Sequence, residues 1–380
     1  MPRWSTVEVG ALRRLKGVRL DGLRSFNLIV GPNNSGKTTV LEAIRLLGSP
    51  LDVWNWANTA RSREIKSGRA GRLETLRYLF PQTQALGSGE LFEGRAEFSG
   101  TGAPGDLAVK AHFREIRYEP AENAPLAVDE SSDLFRRGLV RVDTVSAGVE
   151  RFVEYVIDPR KDFEPPDPPD IPRPTETRFI SPVDHRVDHG TLRTISDLLE
   201  RRMKGILIQQ LNKIDPTIED IAVVVRDGRG PEIRVIRAES GGVPLSSEGD
   251  GIRRSLMLAA EAFAIVLDNP VTPGVLLVDE IETALHPTAM EKALQLLRVA
   301  AGFGGGGAGG IQMFATTHSL EVLDAVARVW EPSPMAPGVG QGPDDVAFYR
   351  LPGAGSGGQV VRYSMAEYRE RRDEAGVDLR

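Results

Sequence analysis

The chain has 380 residues, 41% of them hydrophobic and 26% charged, with a net charge of −6 and no cysteine. That is enough chain for two domains or for one large core with an insertion. It excludes disulfides, cysteine zinc sites and cysteine nucleophiles, and it gives the molecule as a whole no attraction to nucleic acid. No apolar run reaches the length of a membrane span, and the start, Met-Pro-Arg-Trp-Ser-Thr-Val-Glu, carries no apolar signal segment. A cytoplasmic protein with no membrane partner is therefore expected.

Residues 7–20 alternate loosely and predict one or two short strands, followed by a turn at Asp21-Gly22. Residues 26–30 form a compact apolar run, a buried strand. Residues 31–36 are a loop, and 38–47 predict a helix with Val40, Leu41, Ile44 and Leu47 on one face. Beyond residue 48 the pattern weakens. Trp54 and Trp56 stand close together, a basic stretch runs from Arg61 to Arg72, and strand-like pieces occur at 108–118 and 151–157. Residues 159–174 are dense in proline and acid, which favours an extended linker. Residues 49–177 are thus expected to be an α+β insertion ending in that linker. Residues 1–48 and 178–380 would form one discontinuous domain.

After the linker, residues 177–181 predict a strand and 192–214 a single helix stopped by Pro216. A hairpin is expected from 221–226 and 232–237 around Asp227-Gly228-Arg229-Gly230. Helices at 251–267, 288–300 and 320–329 alternate with apolar strands at 274–279 and 311–315, a glycine-rich loop spans 302–310, and a charged helix is expected near 366–374. Apolar strands alternating with helices predict a mainly parallel sheet covered by helices, an α/β fold.

Gly31, Gly36, Lys37 and Thr38 satisfy G-x-x-x-x-G-K-[ST] between a strand and a helix. Glycines let successive backbone N–H groups turn toward phosphate oxygens, and the helix offers its positive end to the same anion. Lys37 would bridge the outer phosphates and the Thr38 hydroxyl would ligate Mg²⁺. The nucleotide-binding candidates are Asn33, Asn34, Ser35, Gly36, Lys37, Thr38 and Thr39, the nucleotide being ATP. Downstream, Val275-Leu276-Leu277-Val278 ends in Asp279 and Glu280. Asp279 at the strand tip would hold Mg²⁺, and Glu280 would polarise the attacking water. His318 follows a second core strand, where ligands gather in open α/β sheets, and would reach the γ-phosphate.

Taken together, Gly-Pro-Asn-Asn-Ser-Gly-Lys-Thr-Thr, Leu-Leu-Val-Asp-Glu-Ile-Glu-Thr-Ala-Leu-His-Pro and Phe-Ala-Thr-Thr-His-Ser resemble the ABC-type ATPases of the OLD (overcoming lysogenization defect) group, relatives of the SMC-like ATPases. The resemblance covers about residues 5–48 and 178–330. It implies a P-loop NTPase fold of ABC type, with an antiparallel β part at the N-terminus. It also gives meaning to Leu245-Ser246-Ser247-Glu248-Gly249-Asp250-Gly251, similar to the family's signature loop. In such enzymes this loop completes the phosphate site of a second copy, so Ser247, Gly249 and Gly251 would act in trans. A homodimer or higher even oligomer follows.

The sequence departs from the family in four ways. The signature loop differs from the usual Leu-Ser-Gly-Gly-Gln, which leaves Ser246 and Ser247 both open as its serine. No glutamine is placed for the Q-loop: Gln82 and Gln84 come early, and Gln209 and Gln210 fall inside a predicted helix. The insertion is too rich in proline and glycine for a long coiled coil. The residues after His318 leave no room for a TOPRIM nuclease domain. The resemblance therefore implies an ATPase subunit serving a separate nuclease-like effector, as in anti-phage defence. The alternatives are a DNA-binding repair ATPase, supported locally by Arg61–Arg72, Arg201, Arg202, Lys204, Arg253 and Arg254, and, more remotely, a transporter's nucleotide-binding subunit.

Overall fold

A computed structural model describes residues 3–63, 71–83, 90–117, 136–158, 175–186, 188–225, 230–268, 274–302, 310–331, 343–353 and 358–375. The proline-rich segment 159–174, the hairpin turn at 227–229 and most of the glycine-rich loop lie outside them. In chain order the elements are β1 (Trp4–Leu12), β2 (Leu15–Asp21), β3 (Phe26–Val30), α1 (Lys37–Gly48), α2 (Val53–Arg61), α3 (Gly71–Arg77), β4 (Glu90–Gly102), β5 (Leu107–Arg117), β6 (Arg136–Ser146) and β7 (Val149–Ile157). There follow β8 (Thr177–Ile180), α4 (Asp188–Glu200), α5 (Lys204–Asn212), β9 (Ile218–Val224), β10 (Glu232–Arg237), β11 (Gly241–Pro244), α6 (Asp250–Asp268), β12 (Gly274–Val278), α7 (Pro287–Gly302), β13 (Ile311–Thr316), α8 (Leu320–Val329), β14 (Val346–Arg350), β15 (Val361–Ser364) and α9 (Met365–Ala375).

The chain packs as two compact units, one built mainly of Leu23–Asn33 and Thr177–Arg380, the other of Trp4–Gly22 and Asn34–Glu176. In the first, a sheet runs in the order β15-β14-β3-β13-β12-β8. Its strands are parallel except for β15, which pairs antiparallel with β14. Every residue of β3, β12 and β13 is buried, as expected for strands covered on both faces. One polar side chain interrupts β3. Asn27 is fully buried, and its amide is satisfied by Arg24 N (2.7 Å), Arg24 O (2.6 Å) and Met313 O (3.0 Å). The core continues through α6, α7 and α8 to Trp330, which lies 4.6 Å from Phe26, centroid to centroid. A small antiparallel sheet, β11-β10-β9, belongs to the same unit.

The second unit is an antiparallel sheet, β2-β1-β4-β5-β6-β7, with α1, α2 and α3. β5 alternates buried and open positions, the period of a half-covered strand. Its inner face carries a run of rings: Trp56 lies 5.6 Å from Phe80 and 5.9 Å from Phe98, and Phe80 lies 5.3 Å from Phe113. Close approach explains one glycine in the sheet. A Cβ at Gly100 would lie 2.8 Å from the buried Trp4 ring and 3.2 Å from Leu47.

Two expectations change. The strands expected as an insertion after residue 48 extend the sheet begun by β1 and β2, and α1 packs with them, so the compact units do not divide at 48/49. The single helix expected over 192–214 is two helices. At the break Arg202 adopts φ 61°, Met203 N donates to Leu198 O (2.9 Å) and Arg202 N to Leu199 O (3.1 Å). That is a Schellman ending, normally signalled by glycine and here built on arginine. Sequence periodicity also passed over α2, α3, β4, β6, β11, β14 and β15.

Candidate active site

Parallel pairing brings the carboxyl ends of β3, β13, β12 and β8 to one edge of the sheet. The residues that leave these ends are Gly31, Thr317-His318, Asp279-Glu280 and Ser181. Strand-end crevices of this kind are where open α/β sheets bind ligands.

Asp279 is buried, and its Oδ1 accepts a hydrogen bond from the Thr316 hydroxyl (2.6 Å). The Thr316 oxygen in turn accepts the Glu280 N–H (2.8 Å). One threonine on β13 therefore orients both acids at the tip of β12. Glu280 sits at φ 46°, a left-handed conformation unusual for a glutamate, and Ala284 one turn later at φ 64°. Thr283 Oγ1 donates to Glu280 Oε2 (3.3 Å). Beneath the turn lies Arg254 of α6, fully buried. Its guanidinium donates to Ser181 O (2.5 Å), Asp279 O (3.1 Å) and Glu280 O (3.5 Å). Burial lowers its pKa to about 10, opposed by the nearby carboxylates of Asp184, Asp279, Glu282 and Glu280.

Glu282 Oε1 accepts the His318 backbone N–H (3.0 Å) and lies 3.1 Å from His318 Nδ1. The His318 side chain is 56% exposed at the sheet edge. Asp279, Glu280 and His318 thus leave neighbouring strand ends. Thr316, Glu282 and Arg254 were not singled out for this site. For Glu282 the only sequence signal was its place in Asp-Glu-Ile-Glu.

The loop leaving β3 runs directly into α1. Gly31 (φ 148°), Asn34 (φ 63°) and Gly36 (φ 94°) all take positive φ. Gly36 also admits no side chain, since a Cβ would lie 2.6 Å from Leu15 Cδ1. Lys37 opens α1 and Thr38 follows; the helix start has no side-chain cap. The Ser35 hydroxyl is buried with no hydrogen-bond partner in the protein. An uncapped helix start leaves backbone donors that an anion can take up. One turn into α1, the buried Glu42 is gripped by Arg13 (2.8 and 2.9 Å) and Arg63 (2.9 and 2.7 Å), and Arg63 also donates to Thr39 Oγ1 (3.0 Å).

Ser247 closes a short 3₁₀ turn after β11. Glu248 is held by Arg237 through two hydrogen bonds (2.5 and 2.9 Å), and Arg237 also grips Asp215 (2.9 Å). Gly249 O accepts the Ile252 and Arg253 N–H groups as the helix begins. A Cβ at Gly249 would meet no described atom within 4 Å, whereas one at Gly251 would press on Ala284 O at 3.2 Å.

Of the basic residues raised for DNA binding, Arg61 and Arg202 are exposed, and several others pair with acids of the same chain. Arg254 is buried, Arg253 pairs with Asp250 (3.4 Å), Arg201 with Asp268 (2.7 Å), Lys204 with Asp220 (2.7 Å) and Arg63 with Glu42 (2.7 Å). Lys66 and Arg69 lie outside the described residues. Among the described residues no helix is long and apolar enough to cross a membrane.

Known proteins share these features. An "ATP/GTP phosphatase" of Helicobacter pylori is 22% identical over 344 residues, 85% of this chain and 88% of its own. A short stretch is closer to the "DNA replication and repair protein RecF" of Acinetobacter baylyi, 46% identical over 43 residues, 11% of this chain and 12% of that one. The crystal structure of an SMC head bound to the C-winged helix domain of ScpA superimposes with a TM-score of 0.50 at 14% identity, covering 97% of this chain and 100% of that one, which shows a common fold. Residues 26–324 match the family described as "AAA domain, putative AbiEii toxin, Type IV TA system". That match takes in most of the chain, which therefore belongs to this AAA-domain family and has the P-loop fold of an ABC/SMC-type ATPase.

Proposed function

We propose that the protein is a Mg²⁺-dependent ATPase of ABC type whose hydrolysis step runs on Glu280. The observation that carries this reading is the acid turn at the tip of β12, where Thr316 orients Asp279 and Glu280 on the sheet edge from which the phosphate loop departs. Residues 33–39 bind the phosphates through backbone N–H groups, with Lys37 countering the charge of the outer two. Asp279 and the Thr38 hydroxyl are hard oxygen donors of the kind Mg²⁺ takes. When bound, Mg²⁺ neutralises charge on the phosphate oxygens. Glu280 accepts a proton from the attacking water, and His318, exposed at the sheet edge beside Glu282, reaches the γ-phosphate.

The loop Ser247–Gly251 closes the site of a second copy. Support comes from Gly249, where nothing described in its own chain calls for a glycine. A surface that lacks a side chain without an internal reason suits close approach by a phosphate or a partner. The family's description as a type IV toxin–antitoxin component supports a role in which the ATPase subunit serves a toxic effector, in keeping with anti-phage defence.

Lys37→Ala should abolish ATP binding, and Glu280→Gln should bind ATP while hydrolysing it about a hundredfold more slowly. Equilibrium binding of labelled ATP and phosphate release measure the two. Wild-type turnover in the Glu280→Gln protein would move the base elsewhere.

A further inference from the structure

The acid turn contains two non-glycine residues in left-handed conformation, Glu280 and Ala284, and the first turn of α6 touches both. Arg254 donates to the carbonyls of Asp279 and Glu280, and Gly251, one helical turn earlier, lies against the carbonyl of Ala284. Left-handed backbone at such residues persists only where its surroundings hold it. Arg254 is suited to that task. It is fully buried, its donors at this site go to backbone carbonyls rather than to a carboxylate, and its planar fork reaches two strand ends at once: Ser181 after β8 and Asp279-Glu280 after β12. An arginine spent on three carbonyls is an expensive way to fill a core, because the charge must be desolvated without a bidentate acid partner.

We propose that Arg254 is a positioning residue for hydrolysis: it locks the backbone of Glu280 in the conformation that aims its carboxylate, and it makes that aim depend on the first turn of α6. The loop Ser247–Gly251 runs straight into this turn. Pressure from a second copy on the loop is therefore delivered to the acid that polarises water, so that hydrolysis follows partner contact. This inference rests on the assignment of Glu280 as the base.

The test is a double-mutant cycle. R254K replaces the fork by a single-point ammonium, and R254Q keeps a planar amide with two N–H donors. Each is made in the parent and in the E280Q chain, and kcat, KM for ATP and melting temperature are measured. If Arg254 acts through Glu280, R254K lowers kcat of the parent by about tenfold or more while KM stays within about threefold. In the E280Q background the same change lowers the residual rate less than about twofold, although the melting temperature falls equally in both. R254Q should recover part of the loss. An equal fold-loss of kcat in both backgrounds, or a loss confined to KM, overturns the proposal. If neither variant folds, Arg254 is a structural residue and the proposal also falls. E280Q turning over at the parent rate is a separate outcome: it removes the base assignment whatever Arg254 does.

Discussion

Glu282 holds the His318 backbone through its N–H and stands beside the ring. Glu282→Ala should lower kcat about tenfold or more while ATP affinity changes less, because the histidine remains but is no longer aimed. Glu282→Gln, whose carbonyl can still accept the His318 backbone N–H, should lose less; steady-state kinetics on the pair checks the order. A second histidine has a different consequence. His185 is buried near Arg254, Asp250 and Arg186, and burial followed by the Arg254 charge lowers its pKa below the ordinary 6.5, with Asp250 opposing. The unfolded chain therefore binds this proton at higher pH than the folded one. The His185 contribution is fully present above about pH 6.5 and is lost as pH falls through the lowered folded value. Urea melts at about pH 7.5 and 5.5 should show a loss of stability that His185→Gln reduces.

At the scale of elements, the apolar strands were the most legible parts of the chain. β3, β12 and β13 are buried on both faces, so mainly apolar runs announce them, and the strand-end acids followed from those runs. What stayed hidden depends on partners distant in sequence. α2 carries one buried and one exposed tryptophan, and its stripe is fixed by rings on β4, the segment after α3, and β5. β14 joins the sheet only because β3 offers it an edge. Arg254 looked like half of a surface basic pair, and nothing local tells that three carbonyls await it. The break between α4 and α5 was missed because the residue that makes the left-handed turn is an arginine rather than a glycine. Arg202→Gly should therefore stabilise this ending by about 0.5–1 kcal/mol, seen as a higher urea midpoint at unchanged slope.

For the whole molecule the question is what ATP does to the number of chains in the assembly. If Ser247, Gly249 and Gly251 act across an interface, ATP should convert monomers to dimers in the slow-hydrolysing Glu280→Gln background. Gly249→Ala separates this from folding. Its added methyl meets open space in its own chain, so the melting temperature should stay within about 1–2 °C while ATP-dependent dimerisation is lost. Light scattering after gel filtration, with and without ATP, reads the result. An unchanged dimer would return Gly249 to an ordinary helix entry.

The four tryptophans are unevenly shared. Trp4, Trp54 and Trp56 belong to the antiparallel unit, and Trp330, stacked near Phe26, is the one tryptophan of the unit built on the parallel sheet. The protein thus carries its own optical label. Subtracting the emission of Trp330→Phe from that of the parent isolates a signal from the unit with the acid turn. Followed through a denaturant jump, it times that unit's loss of structure against its neighbour's without any attached dye.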